Sequence, residues 1–414
     1  MSTAVRQTGS ALQQVAAKEA QYLLPTYERL PILVERGEDV YLFDSEGRRY
    51  LDFLSGIGVN ALGYAHPTIT KTIAEQAAKL VHVSNLFFHE YQAELAGLLT
   101  GMSGLDRAFF CNSGTEAWEG ALKLARAYAK HAKNGAEPKW RFLVMENSFH
   151  GRTFGALATT GQKKYQEPFA PLVPGCQFVR FNDVDDLRQK FDHTVCAIGL
   201  ETVQGEGGIR PVSAEFLIAA RELTEQTGAL LLIDEIQCGL GRTGRDFAYQ
   251  HYGIKPDVVT VAKPLAAGLP LGAILTTNAV SACFHPGMHG TTFGGGPLAC
   301  AVAVEFLKTL GRERLVDHAS ALGDYFMLKL LELKSKHAEI VEVRGLGLMV
   351  GAELNSADLA KSVVKTMLER RIVINRTNET ALRFLPPYIV KKEHVEEVVG
   401  QLDSILSENE RAIG

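Results

Sequence analysis

Two runs, Leu230-Leu231-Leu232-Ile233-Asp234 and Val258-Val259-Thr260-Val261-Ala262-Lys263, decide the fold. Each is a short, unalternated apolar stretch, which is how a strand buried on both faces reads. One ends in a carboxylate and the other in an amine. A charge in such a place must be paired or hydrogen-bonded, because an unpaired buried charge costs several kcal/mol. Further strand-like runs at residues 107–110, 142–145, 177–181 and 197–200 alternate with helical segments such as residues 214–225. That alternation predicts a parallel sheet covered by helices.

Around this centre the text changes. Residues 26–60 read as short strands and turns: 32–35, 40–43, a Ser45-Glu46-Gly47 turn, and 50–53. Past residue 310, charged helices surround a strand pair within 340–354 and an extended run at 372–375. The expected organisation is a large α/β domain over residues 76–309. A smaller α+β domain is then assembled from both chain ends, residues 1–75 and 310–414. A chain of 414 residues is long enough for two such cores.

The net charge of −4 offers no basic field for nucleic acid or an anionic membrane, so an anionic substrate must be met by local arginines. No apolar stretch approaches the roughly 18–20 residues that span a bilayer. The first twenty residues lack the apolar core of a signal peptide, and a cytoplasmic location is expected. The six cysteines are scattered without metal-site spacing, and thus read as reduced thiols. His89-Glu90-Tyr91-Gln92-Ala93 begins like a zinc-protease helix but has alanine where the second histidine belongs, so no metal is expected.

The candidate chemistry sits at strand ends. Ser113, Gly114 and Thr115 open a helix after the 107–110 strand, and its free N–H groups suit a phosphate. Ser113 and Glu116 also have the spacing of an ordinary capping box. After the 142–145 strand, Phe149 can stack on a flat ring, and Arg152 can hold a carboxylate through two parallel bonds. Glu201 and Glu206, with three glycines between Gly205 and Gly208, form a loop with its charge aimed inward. Gly239-Leu240-Gly241-Arg242-Thr243-Gly244 matches a dinucleotide fingerprint in letters only. Four residues separate it from Asp234, and the compact strand–glycine–helix context is missing. Lys263 and Asp234 are what a pyridoxal phosphate enzyme needs. The amine forms a Schiff base with the aldehyde, and the acid keeps the pyridine nitrogen protonated so the ring can absorb electrons. Gln237 could donate to the phenolic oxygen.

Seven motifs, at residues 112–117, 148–153, 204–208, 234–244, 262–273, 289–295 and 382–387, occur in the order found in class III, ornithine-type aminotransferases. The chain resembles that family from about Pro25 to its end. Residues 53–63 resemble the acetylornithine aminotransferase branch in particular.

The resemblance implies the fold-type I architecture, with a mostly parallel seven-stranded sheet, and a homodimer with shared active sites. It implies pyridoxal 5'-phosphate, with Gly114 and Thr115 at the phosphate, Phe149 over the ring, and Asp234, Gln237 and Lys263 in the roles above. Thr292 would reach the neighbouring subunit's phosphate, and Thr291 would lie beside the substrate. Arg152 would bind the carboxylate remote from the reacting amine. Arg383 would bind the α-carboxylate of glutamate or 2-oxoglutarate, covered by Glu206 when the other substrate is present. The implied reaction moves the δ-amino group of N2-acetylornithine to 2-oxoglutarate in arginine biosynthesis, ping-pong through pyridoxamine phosphate. Ornithine δ-aminotransferase and 4-aminobutyrate aminotransferase are the neighbouring readings, and a non-catalytic binding protein on the same fold is the reading from another class. Ile57 stands where ornithine-specific relatives tend to have tyrosine. Trp118 stands where relatives often have asparagine, and Pro264 where many have alanine or glycine.

Overall fold

A computed structural model describes residues 10–132, 137 and 139–413. Its central sheet contains β1 (Arg107–Cys111), β2 (Arg141–Met145), β3 (Cys176–Val179), β4 (Val195–Glu201), β5 (Leu230–Asp234), β6 (Val258–Val261) and β7 (Gly272–Thr276). Their spatial order is β1-β7-β6-β5-β4-β2-β3. Strands β2 to β6 pair in parallel, and β7 runs antiparallel to both β6 and β1. Every residue of β4, β5, β6 and β7 is buried, which accounts for their unalternated apolar text. Helix Gly114–His131 covers β6 and β7, and helix Ala214–Thr227 packs on β4 and β5.

The α/β expectation holds, with one addition. The reading of the residues picked out six of the seven strands and passed over Gly272–Thr276, which follows directly on a Leu-Pro-Leu turn.

Two four-stranded sheets flank this core. The first joins Val34–Glu38, Tyr41–Asp44 and Arg49–Asp52 to Ile372–Val373 from the far end of the chain. The second orders Ile340–Leu346, Met349–Leu354, Ala381–Phe384 and Asn375–Thr377. The run expected at 372–375 therefore divides between two sheets, with the buried Ile374 at the crossing point. Among the described residues no helix is long and apolar enough to cross a membrane.

What matters for chemistry is where the parallel strands stop. Asp234 lies in register with Glu201 on one side and Thr260 on the other, so three strand ends share one level. Open α/β sheets bind ligands outside these carboxyl ends.

Candidate active site

A cavity of about 440 Å³ opens at those strand ends. Ser113, Gly114, Thr115, Phe149, Arg152, Glu206, Asp234, Gln237 and Lys263 all line it.

Asp234 closes β5 and is buried. Its Oδ1 accepts from the Ile236 amide at 3.0 Å, and its Oδ2 meets His150 Nδ1 at 2.7 Å. His150 is stacked on Trp118 at 4.0 Å between ring centres and 9° between planes. Trp118 is fully buried and donates from Nε1 to Thr159 Oγ1 at 2.8 Å. The imidazole's other nitrogen, Nε2, is buried without a partner among the described residues. Asp234 itself lines the cavity.

Lys263 follows β6 in a turn with left-handed backbone, φ +38°. That region is costly for a side chain of this kind and recurs at functional sites. Pro264 is the second residue of the short 3₁₀ turn Lys263–Ala266, where its fixed φ suits the turn and its missing N–H is not needed. Burial lowers the Lys263 ammonium's pKa. The Arg383 charge adds to that, while Glu206, Asp234 and Glu201 oppose it.

Helix Gly114–His131 starts at Ser113, whose Oγ accepts from the Glu116 amide at 3.3 Å. The amides of Gly114 and Thr115 in this first turn have no helical carbonyl to bond, and both residues line the cavity. A side chain at Gly114 would strike Ile236 Cδ1 at 2.8 Å. Thr153 Oγ1 donates to Glu119 at 2.5 Å, so at its 2.9 Å contact with Thr115 Oγ1 the proton comes from Thr115. Thr115's hydroxyl donor is thus spent away from the cavity. An anion here is left with two backbone N–H groups and the Ser113 hydroxyl.

The acids divide by role. Glu201 accepts from the amides of Phe149 (2.9 Å) and Gly205 (3.1 Å) and so ties two cavity loops to β4. Burial, with the neighbouring Asp234 charge, pushes its carboxyl up to about 7. Glu206 pairs with Arg383 Nη1 at 2.5 Å. Burial alone would raise the Glu206 pKa, but Arg383, helped by Lys263 and Lys164, brings it below the ordinary value. Arg383 is buried behind Glu206, with Nε donating to Asn375 Oδ1 at 3.1 Å, and does not itself line the cavity. Arg152 is exposed and lies 3.9 Å over the Tyr165 ring and 5.5 Å from that of Phe149.

Besides Arg383, three candidates stay outside the cavity. Ile57 is 40% exposed in a left-handed turn, and Val59 lines the wall instead. Thr291 Oγ1 accepts from Asn112 Nδ2 at 3.1 Å, which links it to a lining residue, and Thr292 is exposed. Reading the residues one by one missed His150 and Tyr165. His150 stood between two singled-out residues, Phe149 and Arg152, but its partner Asp234 lies 84 positions away, and the sequence does not signal that contact.

The family model for aminotransferase class III matches residues 22–406. The chain belongs to the class III aminotransferases. An acetylornithine aminotransferase of Methanocaldococcus jannaschii is 46% identical, over 94% of this chain and 97% of that one. An ornithine aminotransferase structure from Toxoplasma gondii superposes with a TM-score of 0.93 at 32% identity, covering 98% of this chain and 97% of that one. An acetylornithine aminotransferase structure from Elizabethkingia anophelis gives 0.86 at 30% identity, covering 97% and 100%. The architecture is fold-type I.

Class III aminotransferases are pyridoxal 5'-phosphate enzymes, and the cavity fits that group. It has a helix start with free amides, a buried carboxylate held by the His150 imidazole, and a lysine. Gln237, whose Nε2 is the atom that can donate to a phenolic oxygen, also lines it.

Proposed function

We propose that this class III aminotransferase transfers the δ-amino group of N2-acetylornithine to 2-oxoglutarate, in the cytoplasm, as a homodimer with shared active sites. When bound, pyridoxal 5'-phosphate supplies an aldehyde that exchanges amines and a ring that withdraws electrons from the bond being broken. The chain's residues supply the rest. Gly114, Thr115 and Ser113 hold the phosphate, Phe149 covers the ring, and Asp234 holds a proton on the ring nitrogen. The Lys263 amine moves a proton to and from the substrate carbon that bears the nitrogen.

The Glu206–Arg383 pair carries the two-substrate reading. Acetylornithine has one carboxylate, remote from its reacting amine, whereas 2-oxoglutarate has two. Arg152 is free to bind the remote carboxylate in both half-reactions. A bare Arg383 would be an unpaired buried cation beside acetylornithine's apolar stem, which is expensive. Glu206 neutralises it and turns aside when an α-carboxylate arrives. The dimer reading is supported by the exposed rings of Phe87, Phe88 and Phe293, beside Thr292. Asn85, two residues before Phe87, donates to the Gly294 carbonyl at 3.1 Å and brings both segments together. Strand Ile372–Val373 beside Arg49–Asp52 supports a smaller domain built from residues 1–75 and 310–414 around a 76–309 core.

Kinetics with acetylornithine, ornithine and 4-aminobutyrate side by side test the donor, and higher kcat/KM for either rival overturns it. For the gate, Arg383→Ala should impair the 2-oxoglutarate half-reaction far more than the acetylornithine one in single turnovers. Equal losses in both would refute it.

A further inference from the structure

The loop that carries Glu206 is fastened to the same sheet face that carries Arg383. In the four-stranded sheet, Arg344 pairs across to Gly351, Gly351 to Arg383, and Arg383 to Asn375. Directly opposed residues share a face, and so does Thr377, two residues beyond Asn375. From this row, Arg344 Nε donates to the Gly208 carbonyl at 2.7 Å, and Thr377 Oγ1 donates to the Glu206 carbonyl at 2.6 Å. Glycine at 351 leaves a notch that Ile209 fills, and a Cβ there would meet Ile209 Cβ at 2.9 Å. Ile209 is itself left-handed, φ +55°, so the loop has little freedom to retreat. Glu342 and Glu353, opposed on this face, pair with Arg344 and reach Arg210 at the loop's far end.

We propose that Thr377, Arg344 and Gly351 are positioning residues. They hold the backbone from Gly205 to Ile209 still, so that the Glu206–Arg383 gate opens by side-chain rotation alone. This rests on the gate reading above and adds the device that sets its resting position. Fastened backbone keeps the Glu206 carboxylate against Arg383 in the absence of an α-carboxylate. A loosened loop leaves Arg383 open more of the time, so substrates with an α-amino-acid head gain relative to acetylornithine.

The test uses the holoenzyme and single-turnover kcat/KM for glutamate and for acetylornithine. Thr377→Val, which removes one hydrogen bond, should raise the glutamate-to-acetylornithine ratio about fivefold. Thr377→Ser, which keeps the hydroxyl, should restore it. Gly351→Ala, which presses on Ile209 from the same face, should move the ratio the same way, and Glu206→Ala should move it further. An unchanged ratio in both Thr377→Val and Gly351→Ala, with Glu206→Ala still shifting it, overturns the fastening and leaves the gate. No shift in Glu206→Ala overturns both. A general loss in Thr377→Val that spares the ratio marks Thr377 as merely structural and also overturns the proposal.

Discussion

Replacing Gly199 by alanine would set a Cβ 2.9 Å from both Cζ2 and Cη2 of Trp118. Neither side can yield easily. Gly199 lies in the middle of β4, in register with Val144 and Leu232 on the adjoining strands. Trp118 is fully buried, stacked on His150 and bonded to Thr159. Carbon atoms prefer separations of about 3.5–4.0 Å, so ring or strand must move by roughly half an ångström. Overpacking of this kind costs about 1–3 kcal/mol. Trp118→Phe removes the outer ring atoms that clash, and in that background Gly199→Ala should cost little. The coupling between the two changes is then about 1–3 kcal/mol, read from urea unfolding of the four cofactor-free proteins. Because the indole backs the imidazole that holds Asp234, Gly199→Ala should also speed release of the bound cofactor, followed by its visible absorbance. Costs that add to within about 0.5 kcal/mol would refute the reasoning.

Two further outcomes are expected. Lys263→Ala should retain cofactor noncovalently and lose about 10²–10⁴-fold in turnover. Borohydride reduction and peptide mapping of the parent enzyme should label Lys263, and a label on another lysine sinks the assignment. Buried Glu235 accepts from the amides of Ala248 and Tyr249 and from Thr202, yet burial pushes its carboxyl up to about 7. Folded protein therefore binds more protons here than unfolded protein between the usual carboxylate range and 7. Its contribution to stability is present near pH 4.5 and is lost as pH rises through 7, by about 3 kcal/mol. Glu235→Gln should flatten the fall in urea midpoint over that window, and an unchanged slope counts against it.

Lys263 and Asp234 were legible because a charge directly after an unbroken apolar run is rare and demands a partner. Ser113 to Glu116 were legible because helix starts have local chemistry. What resisted reading was contact between distant elements. Nothing near Trp118 says that its ring will lie on His150, or that His150 will turn to Asp234. Strand β7 was hidden because its direction is set by its neighbours and not by its own period. Arg344 reads as a solvated strand charge until the sheet places it beside Gly208. The resemblance supplied Arg383 and Glu206, which the spacing of residues alone could not have joined across 177 positions.

Arg49–Asp52 meets its parallel neighbour Ile372–Val373 only after roughly 320 further residues have been made. At about 5–20 residues per second, that edge of the first sheet stays open on the ribosome for about 15–60 s. Open edges template wrong pairings. The segment that finally closes it runs straight on, through Ile374, into Asn375 and Thr377, the side chains that steady Arg383 and Glu206. Synthesis therefore completes the carboxylate gate in nearly the same stroke that seals the exposed edge. A nascent chain stalled before residue 372 would have the residues proposed to hold the cofactor but lack Arg383, the arginine proposed to tell its two substrates apart.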